Sequence, residues 1–263
     1  MLRFCSLYSG STGNSLLVQN DDTNILIDAG VSGKKITEAL NSLNVNIDNI
    51  SAILVTHEHS DHIKSIGTIS KKYNIPVFAN KETWNAMENE KNKITEENQK
   101  FFEPYKYFYI NSFKIGAFKL PHDAANPCGF CIISDNKKIS IATDLGHVTP
   151  NIMSCLQNSS FVLLESNYDP EVLRCSRYPY SLKTRIDGPN GHLSNYTSGK
   201  IVSTLISSGL KSAMLGHLSK ENNFPELAYK TVVEELYKKN FNENSIELNV
   251  ASRNEPSKMI EVS

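Results

Sequence analysis

Val55-Thr56-His57-Glu58-His59-Ser60-Asp61-His62 closes an apolar, β-branched run (Ala52 to Thr56) that reads as a strand and leads into a pattern (Ile63 to Tyr73) that reads as a helix. Four candidate metal ligands, His57, His59, Asp61 and His62, fall within six residues. In an extended loop the side chains of His57 and His59, at i and i+2, point to one side and can face one ion. Asp61 and His62, at the start of the following helix, can face a second ion close by. Imidazole and carboxylate donors without thiolate suit Zn²⁺, Mn²⁺ or Fe. The competing reading is a polar loop in which histidines happen to cluster.

Outward from this stretch, short apolar runs recur at Leu2 to Tyr8, Ser15 to Val18, Ile25 to Asp28, Pro76 to Ala79, Lys114 to Leu120, Phe130 to Ser134, Ile139 to Thr143, Phe161 to Glu165 and Ser212 to Gly216. These read as strands. Helical spacing marks Gly33 to Asn44, Asn195 to Gly209 and Pro225 to Asn240, with Ser, Asn or Gly near their ends. Strands and helices cluster instead of alternating strictly, which predicts an α+β layered architecture. The polar run Glu88 to Lys100 reads as a solvated helix or loop. No linker, repeat or low-complexity block divides the chain, so one domain spanning 1–263 is expected.

The 263 residues carry 27 Lys and Arg against 28 Asp and Glu, a net charge of −1, and are 40% hydrophobic. A disordered chain or mini-scaffold is excluded. Bulk electrostatic coating of nucleic acid is disfavoured, so a polyanion would have to be met locally. The first residues contain no apolar signal-peptide core, and no stretch approaches the roughly 20 apolar residues of a membrane span. A cytoplasmic location with no membrane partner is expected. The five cysteines are scattered and odd in number, which predicts free thiols. Cys128 and Cys131 spell CxxC, but their surroundings read as a buried strand.

The HxHxDH pattern resembles the signature of the metallo-β-lactamase superfamily, and the similarity runs over essentially the whole chain. It implies a four-layer αββα sandwich. It further implies ligands at three strand ends: Pro121-His122-Asp123, Thr143-Asp144 and Leu215-Gly216-His217. The resemblance assigns His57, His59 and His122 to one metal, Asp61, His62 and His217 to another, and Asp144 to both, giving two divalent ions per chain (Zn, Mn or Fe). Taken singly, His122 and His217 would read as core or surface histidines. Such a pair implies hydrolysis with a metal-bridging hydroxide as nucleophile. A flavodiiron-type redox protein would have glutamate at the position of His59 and an appended flavodoxin-like domain, and neither is present.

The second half narrows the substrate class. Glu165-Ser166-Asn167-Tyr168-Asp169, then Leu182 to Asn195, then His217 to Asn223, together with Ser9 to Ser15, resemble the YycJ/WalJ-like group. In the phosphodiesterase branch, which includes tRNase Z-like enzymes, a glutamate orients a non-ligand histidine. The similarity maps these onto Glu165 and His192, with His192 protonating the leaving oxygen and Asp61 completing the catalytic set; otherwise Glu165 is a strand-end carboxylate and His192 a loop residue. The group implies a 5′→3′ exonuclease on double-stranded DNA, with DNA ahead of RNA as partner. The alternative is a small-molecule phosphodiesterase or thioesterase on the same metals. Only 73 residues separate Asp144 from His217, too few for the helical β-CASP insertion of RNase J-like nucleases, and no tRNA-gripping arm is evident.

Arg174, Arg177, Lys183 and Arg185, interleaved with Tyr178 and Tyr180, can pair phosphates and stack bases; the competing reading is a solvated loop. Ser11 and Asn14, in the Gly-rich Ser9 to Ser15 segment, are further substrate-binding candidates unless that segment is only a hairpin turn. Lys220 and Asn222 are weaker candidates at the same rim. His147 receives no ligand role, and the sequence assigns no oligomeric state.

Overall fold

A computed structural model describes residues 1–262. The strands are β1 (Arg3–Tyr8), β2 (Ser15–Gln19), β3 (Asn24–Ile27), β4 (Ile50–Leu54), β5 (Val77–Ala79), β6 (Gln99–Phe101), β7 (Tyr107–Ile110), β8 (Phe113–Lys119), β9 (Cys128–Ser134), β10 (Lys137–Ala142), β11 (Phe161–Glu165), β12 (Ser212–Gly216), β13 (Glu247–Val250) and β14 (Ile260–Glu261). They form two seven-stranded sheets, in the orders β14-β1-β2-β3-β4-β5-β6 and β13-β12-β11-β10-β9-β8-β7. Each sheet is antiparallel in one part and parallel in the other: β3 to β6 and β10 to β13 run parallel.

The layering follows from strand periodicity. Along β2 and β3, Leu16, Val18, Ile25 and Ile27 enter the core between the sheets, while Leu17 and Leu26 join the packing under helix Gly33–Ser42. Strands buried on both faces read as continuous apolar runs, which is why the central ones were legible. Phe4 of one sheet meets Phe161 of the other with ring centroids 4.6 Å apart. On the far side, helices Asn195–Ser207 and Pro225–Tyr237 cover the second sheet through Ile201, Val202, Leu205, Val232 and Leu236. Gly199 permits their close approach, since a Cβ there would lie 2.7 Å from Glu235 Cβ. The result is the expected four-layer α+β sandwich.

Some boundaries differ from the sequence reading. The helix expected over Ile63 to Tyr73 is two pieces, Ser60–Ile63 and Ile66–Tyr73. Ser65 interrupts it, with its hydroxyl donating to Ala29 O and Val31 O. Within Glu88 to Lys100 lie a short helix (Glu88–Lys91) and the start of β6. Cys128 and Cys131 lie in buried β9, as expected, and all five cysteines are free. No helix among the described residues is long and apolar enough to cross a membrane.

Candidate metal centre

The parallel strands end in register along one rim. Ile27 pairs with Leu54, Ala142 with Leu164, and Glu165 with Gly216. Residues just beyond those ends therefore meet: Asp28 after β3, the His57 to His62 loop after β4, Asp144 after β10, and His217 after β12. His122 follows β8. The carboxyl ends of parallel strands are where open α/β sheets commonly present a site.

Six of the seven histidines converge here. The ligating atoms of His57, His59 and His122 lie within 4.8 Å of one another, as do those of Asp61, His62 and His217, those of His57, His62 and Asp144, and those of Asp144, Glu165, His192 and His217. Asp144 stands between the groups, with Oδ2 3.3 Å from His62 Nε2 and Oδ1 3.2 Å from His217 Nδ1 and 3.8 Å from His122 Nε2. Asp61 Oδ2 lies 3.6 Å from His62 Nε2 and 3.7 Å from His217 Nε2.

Four of the rings are held by their Nδ1 atoms. His62 donates to Asp28 Oδ2 (2.7 Å), His122 to Gly191 O (3.0 Å), His217 to Glu165 Oε1 (2.9 Å) and His57 to Thr56 Oγ1 (3.0 Å). Each interaction leaves Nε2 as the atom that offers a lone pair. His57 Nε2, His217 Nε2 and Asp144 Oδ2 are buried with no hydrogen-bond partner. An unpaired buried polar group costs about 1–3 kcal/mol, and here three converge. Imidazole and carboxylate donors left unsatisfied in this way fit divalent cations.

Electrostatics point the same way. Burial holds His57 well below the usual histidine range and lowers His122. Burial opposes ionisation of Asp144, but the charges of His217 and His62 outweigh it and hold the carboxyl well below its ordinary value. Burial likewise opposes charge on His217, but Asp144, Asp61 and Glu165 raise it to about 10.

The backbone is strained at the same points. Asp28, Asp144 and His217 adopt the left-handed conformation, with φ of 61°, 64° and 54°. Such non-glycine residues cost of order 1 kcal/mol or more and cluster at functional sites. Gly30 is required by packing, because a Cβ would lie 1.6 Å from Asp61 O.

Asp28 is the residue that sequence reasoning missed. It accepts from Thr56 N (2.9 Å), Thr56 Oγ1 (2.8 Å) and His62 Nδ1. Its only sequence signal was a carboxylate closing an apolar run. Carboxylates that orient ligand histidines typically contribute 10–100-fold in metal affinity. Asp28→Asn should therefore weaken metal binding about 10–100-fold, measured by competition with a chromogenic chelator.

Glu165 is fully buried at the end of β11. Its Oε1 accepts from His192 Nδ1 (2.7 Å) and His217 Nδ1, and its Oε2 from Leu145 N and Leu193 N. Burial opposes its ionisation, but the charge and hydrogen bond of His192, with those of His217, hold it down to about 2. The His192 side chain is 18% exposed, and its ring lies 5.1 Å from that of His122 and 5.3 Å from that of His217. With Nδ1 committed to Glu165, Nε2 is turned away from that carboxylate.

The basic segment folds into two short helices. Arg174 ends helix Pro170–Cys175 and pairs with Glu171, and Lys183 of helix Tyr180–Ile186 donates to Arg174 O. Between these helices lies a cleft of about 610 Å³ that Arg174, Lys183, Tyr168 and Tyr180 help to line. Arg177 is exposed in the turn joining them. Arg185 reaches toward the centre through Asp123 (2.5 Å), the neighbour of His122.

Asn14 departs from the substrate-contact expectation. It is only 5% exposed. Its Oδ1 accepts from Gly10 N, and its Nδ2 lies 3.1 Å from His62 Nε2 and 3.4 Å from Asp61 Oδ2. It therefore positions the His62 and Asp61 loop from inside. Ser11 is exposed in the β1–β2 hairpin connection, and Gly13 N donates to Gly10 O within that turn. Asn222 is buried and not at the rim, while Lys220 is exposed. His147 is exposed, its Nδ1 on Pro189 O, apart from the cluster.

Comparison with known proteins is consistent with this geometry. The family model described as Metallo-beta-lactamase superfamily matches residues 8–156. Over 240 residues the chain is 39% identical to "Exodeoxyribonuclease YycJ" of Bacillus anthracis, covering 91% of each chain. It is also 39% identical to "Exodeoxyribonuclease WalJ" of Streptococcus pneumoniae, covering 89% of this chain and 88% of that one. Among solved structures, the metallo-beta-lactamase fold protein YhfI from Bacillus subtilis superposes with a TM-score of 0.71 at 18% identity, over 98% of this chain and 100% of that one. The short form of human tRNase Z superposes at 0.65 and 14% identity, over 99% of each.

Proposed function

Because the chain belongs to the metallo-beta-lactamase superfamily, we propose that it is a two-metal phosphodiesterase acting as a 5′→3′ exonuclease on double-stranded DNA. The observation that carries this reading is the Glu165–His192 pair set against the histidine and aspartate cluster. It supplies a positioned acid beside a metal centre. The names and full-length coverage of the two exodeoxyribonuclease relatives support DNA as substrate. The proposed compartment is the cytoplasm.

In this reading His57, His59 and His122 would hold one divalent ion, Asp61, His62 and His217 would hold the other, and Asp144 would serve both. Zn, Mn or Fe at these positions would acidify a water toward neutral pH and offset charge developing on the phosphate. Glu165 fixes the His192 ring through Nδ1, so that Nε2 is left free to carry a proton to the leaving oxygen. The same Glu165 fixes His217, which couples the acid to the ligand set. Asp28 and Asn14 keep the His62 loop in place. Arg174, Arg177, Lys183 and Arg185 pair the phosphates of the bound strand, and exposed Ser11 borders the site.

Arg174→Ala combined with Lys183→Ala should raise KM for DNA about tenfold and flatten its salt dependence by about two phosphate contacts, with kcat little changed. Titrating KM against salt checks this. The function itself is tested by incubating end-labelled duplex DNA, bis-p-nitrophenyl phosphate and an acylated thiol with the protein in Mn²⁺ or Zn²⁺. Stepwise shortening of the DNA is expected, and thioester hydrolysis with intact DNA would replace this reading with the small-molecule one.

A further inference from the structure

Four of the most exposed large hydrophobic side chains of the chain fall within nine residues: Phe101 (58%), Tyr105 (58%), Tyr107 (58%) and Tyr109 (67%). They line one edge of the sandwich, where β6 ends the first sheet and β7 ends the second. Tyr107 and Tyr109 alternate with the more buried Phe108 and Ile110, so both project outward from β7. Between residues 100 and 119 the chain carries four lysines and one glutamate, against a net charge of −1 for the whole. The Lys114 ammonium sits 4.1 Å above the Tyr107 ring, and the one glutamate, Glu103, is paired with Lys106.

Two further features mark this edge as more than a solvated surface. Tyr105 adopts φ of 67°, a left-handed conformation that is rare for a bulky residue, and its N–H donates to Ala117 O at 2.7 Å. That backbone holds the ring where two grooves meet, one lined with Tyr107 and Lys106, the other with Phe101 and Lys119. The second groove, about 540 Å³, extends to Asn126, on the loop that carries His122.

We propose that this edge is an auxiliary binding surface for a single nucleic-acid strand, separate from the catalytic cleft; the inference rests on the nuclease reading given above. Tyr105, Tyr107 and Tyr109 offer faces for bases, and Lys100 and Lys119 meet the phosphates, the combination that binds single strands without sequence preference. A polyanion fits this local charge. A second copy of the chain does not, because pairing this edge with itself would bring Lys100 of β6 and the neighbouring Lys106, Lys114 and Lys119 of both copies together. A strand separated from its partner at the duplex end is the chemistry this surface accepts.

The test is anisotropy of a 5′-fluorescein-labelled 20-nucleotide single-stranded DNA, titrated with chelator-treated protein so that nothing is cut. Replacing Tyr105, Tyr107 and Tyr109 together by Ser should weaken binding at least about tenfold. Lys100→Glu with Lys119→Glu, which leaves the aromatic surface and its packing intact, should do the same and reduce the salt slope. Turnover of bis-p-nitrophenyl phosphate by both metal-loaded variants should match that of the unmodified chain. Unchanged DNA binding by both variants would overturn the proposal, as would light scattering that shows a dimer converted to monomer by the tyrosine substitutions. The binding readout is independent of cleavage. A chain that grips the strand through this edge yet cuts no DNA retains the surface and loses the nuclease reading, whereas a chain that cuts DNA while its variants bind normally loses only the surface.

Discussion

Asp144→Asn is expected to lower phosphodiester hydrolysis at least about a thousandfold, on DNA and on bis-p-nitrophenyl phosphate alike. The substitution keeps the volume of the side chain, and asparagine tolerates the left-handed backbone that Asp144 occupies. What it removes is the one carboxylate within reach of His62, His122 and His217 together. The fold should persist, because His62 keeps Asp28 and His217 keeps Glu165 as anionic partners. Metal content and turnover should therefore fall while the circular-dichroism melt of the metal-free protein stays close to that of the parent. A variant that retains both its metal and at least a tenth of its turnover would show that Asp144 is not the shared ligand.

His192→Ala is expected to behave differently on different substrates. On DNA the leaving group is an alkoxide that needs a proton, and loss of a positioned general acid typically costs 10²–10⁴-fold. An aryl phosphodiester leaves as a stable phenolate and should slow by less than about tenfold. His192 is suited to separate these cases because its Nδ1 is held by Glu165 and its ring is only partly buried. Glu165→Gln would be less clean, since Glu165 also holds His217. Equal losses on both substrates would remove the general-acid role and leave His192 a structural or ligand residue.

The site was legible where its chemistry is local or sits at a strand end. The His57 to His62 loop shows its donors close together in the chain, while His122, Asp144 and His217 came from the family resemblance, each following an apolar run recognisable as a strand. Asp28 was not legible, because its role depends on contact with Thr56 and His62 across about thirty residues and on an unusual backbone conformation. Asn14 was noticed as part of a Gly-rich turn whose backbone could face an anion, whereas its side chain reaches inward to Asp61 and His62.

Elements of the fold divide in a similar way. Central strands, buried on both faces, announce themselves. The edge strands β6 and β7 do not, because their lysines and tyrosines face solvent. Helices Pro150–Leu156 and Pro170–Cys175 went unread although Thr149-Pro150 and Asp169-Pro170 are start signals, and both cap side chains accept from the backbone of the first turn. They are a turn or two long, too short for apolar periodicity to register.

In the proposed reaction the clustered histidines and aspartates hold two divalent ions, and DNA is hydrolysed from its 5′ end. The most direct test is a titration of Mn²⁺ or Zn²⁺ into chelator-stripped protein, following release of 5′ nucleotides from labelled duplex DNA against equivalents of metal. No release is expected without metal, followed by a rise that saturates at two equivalents per chain. Saturation at one equivalent, or intact DNA at every metal ratio, would contradict it.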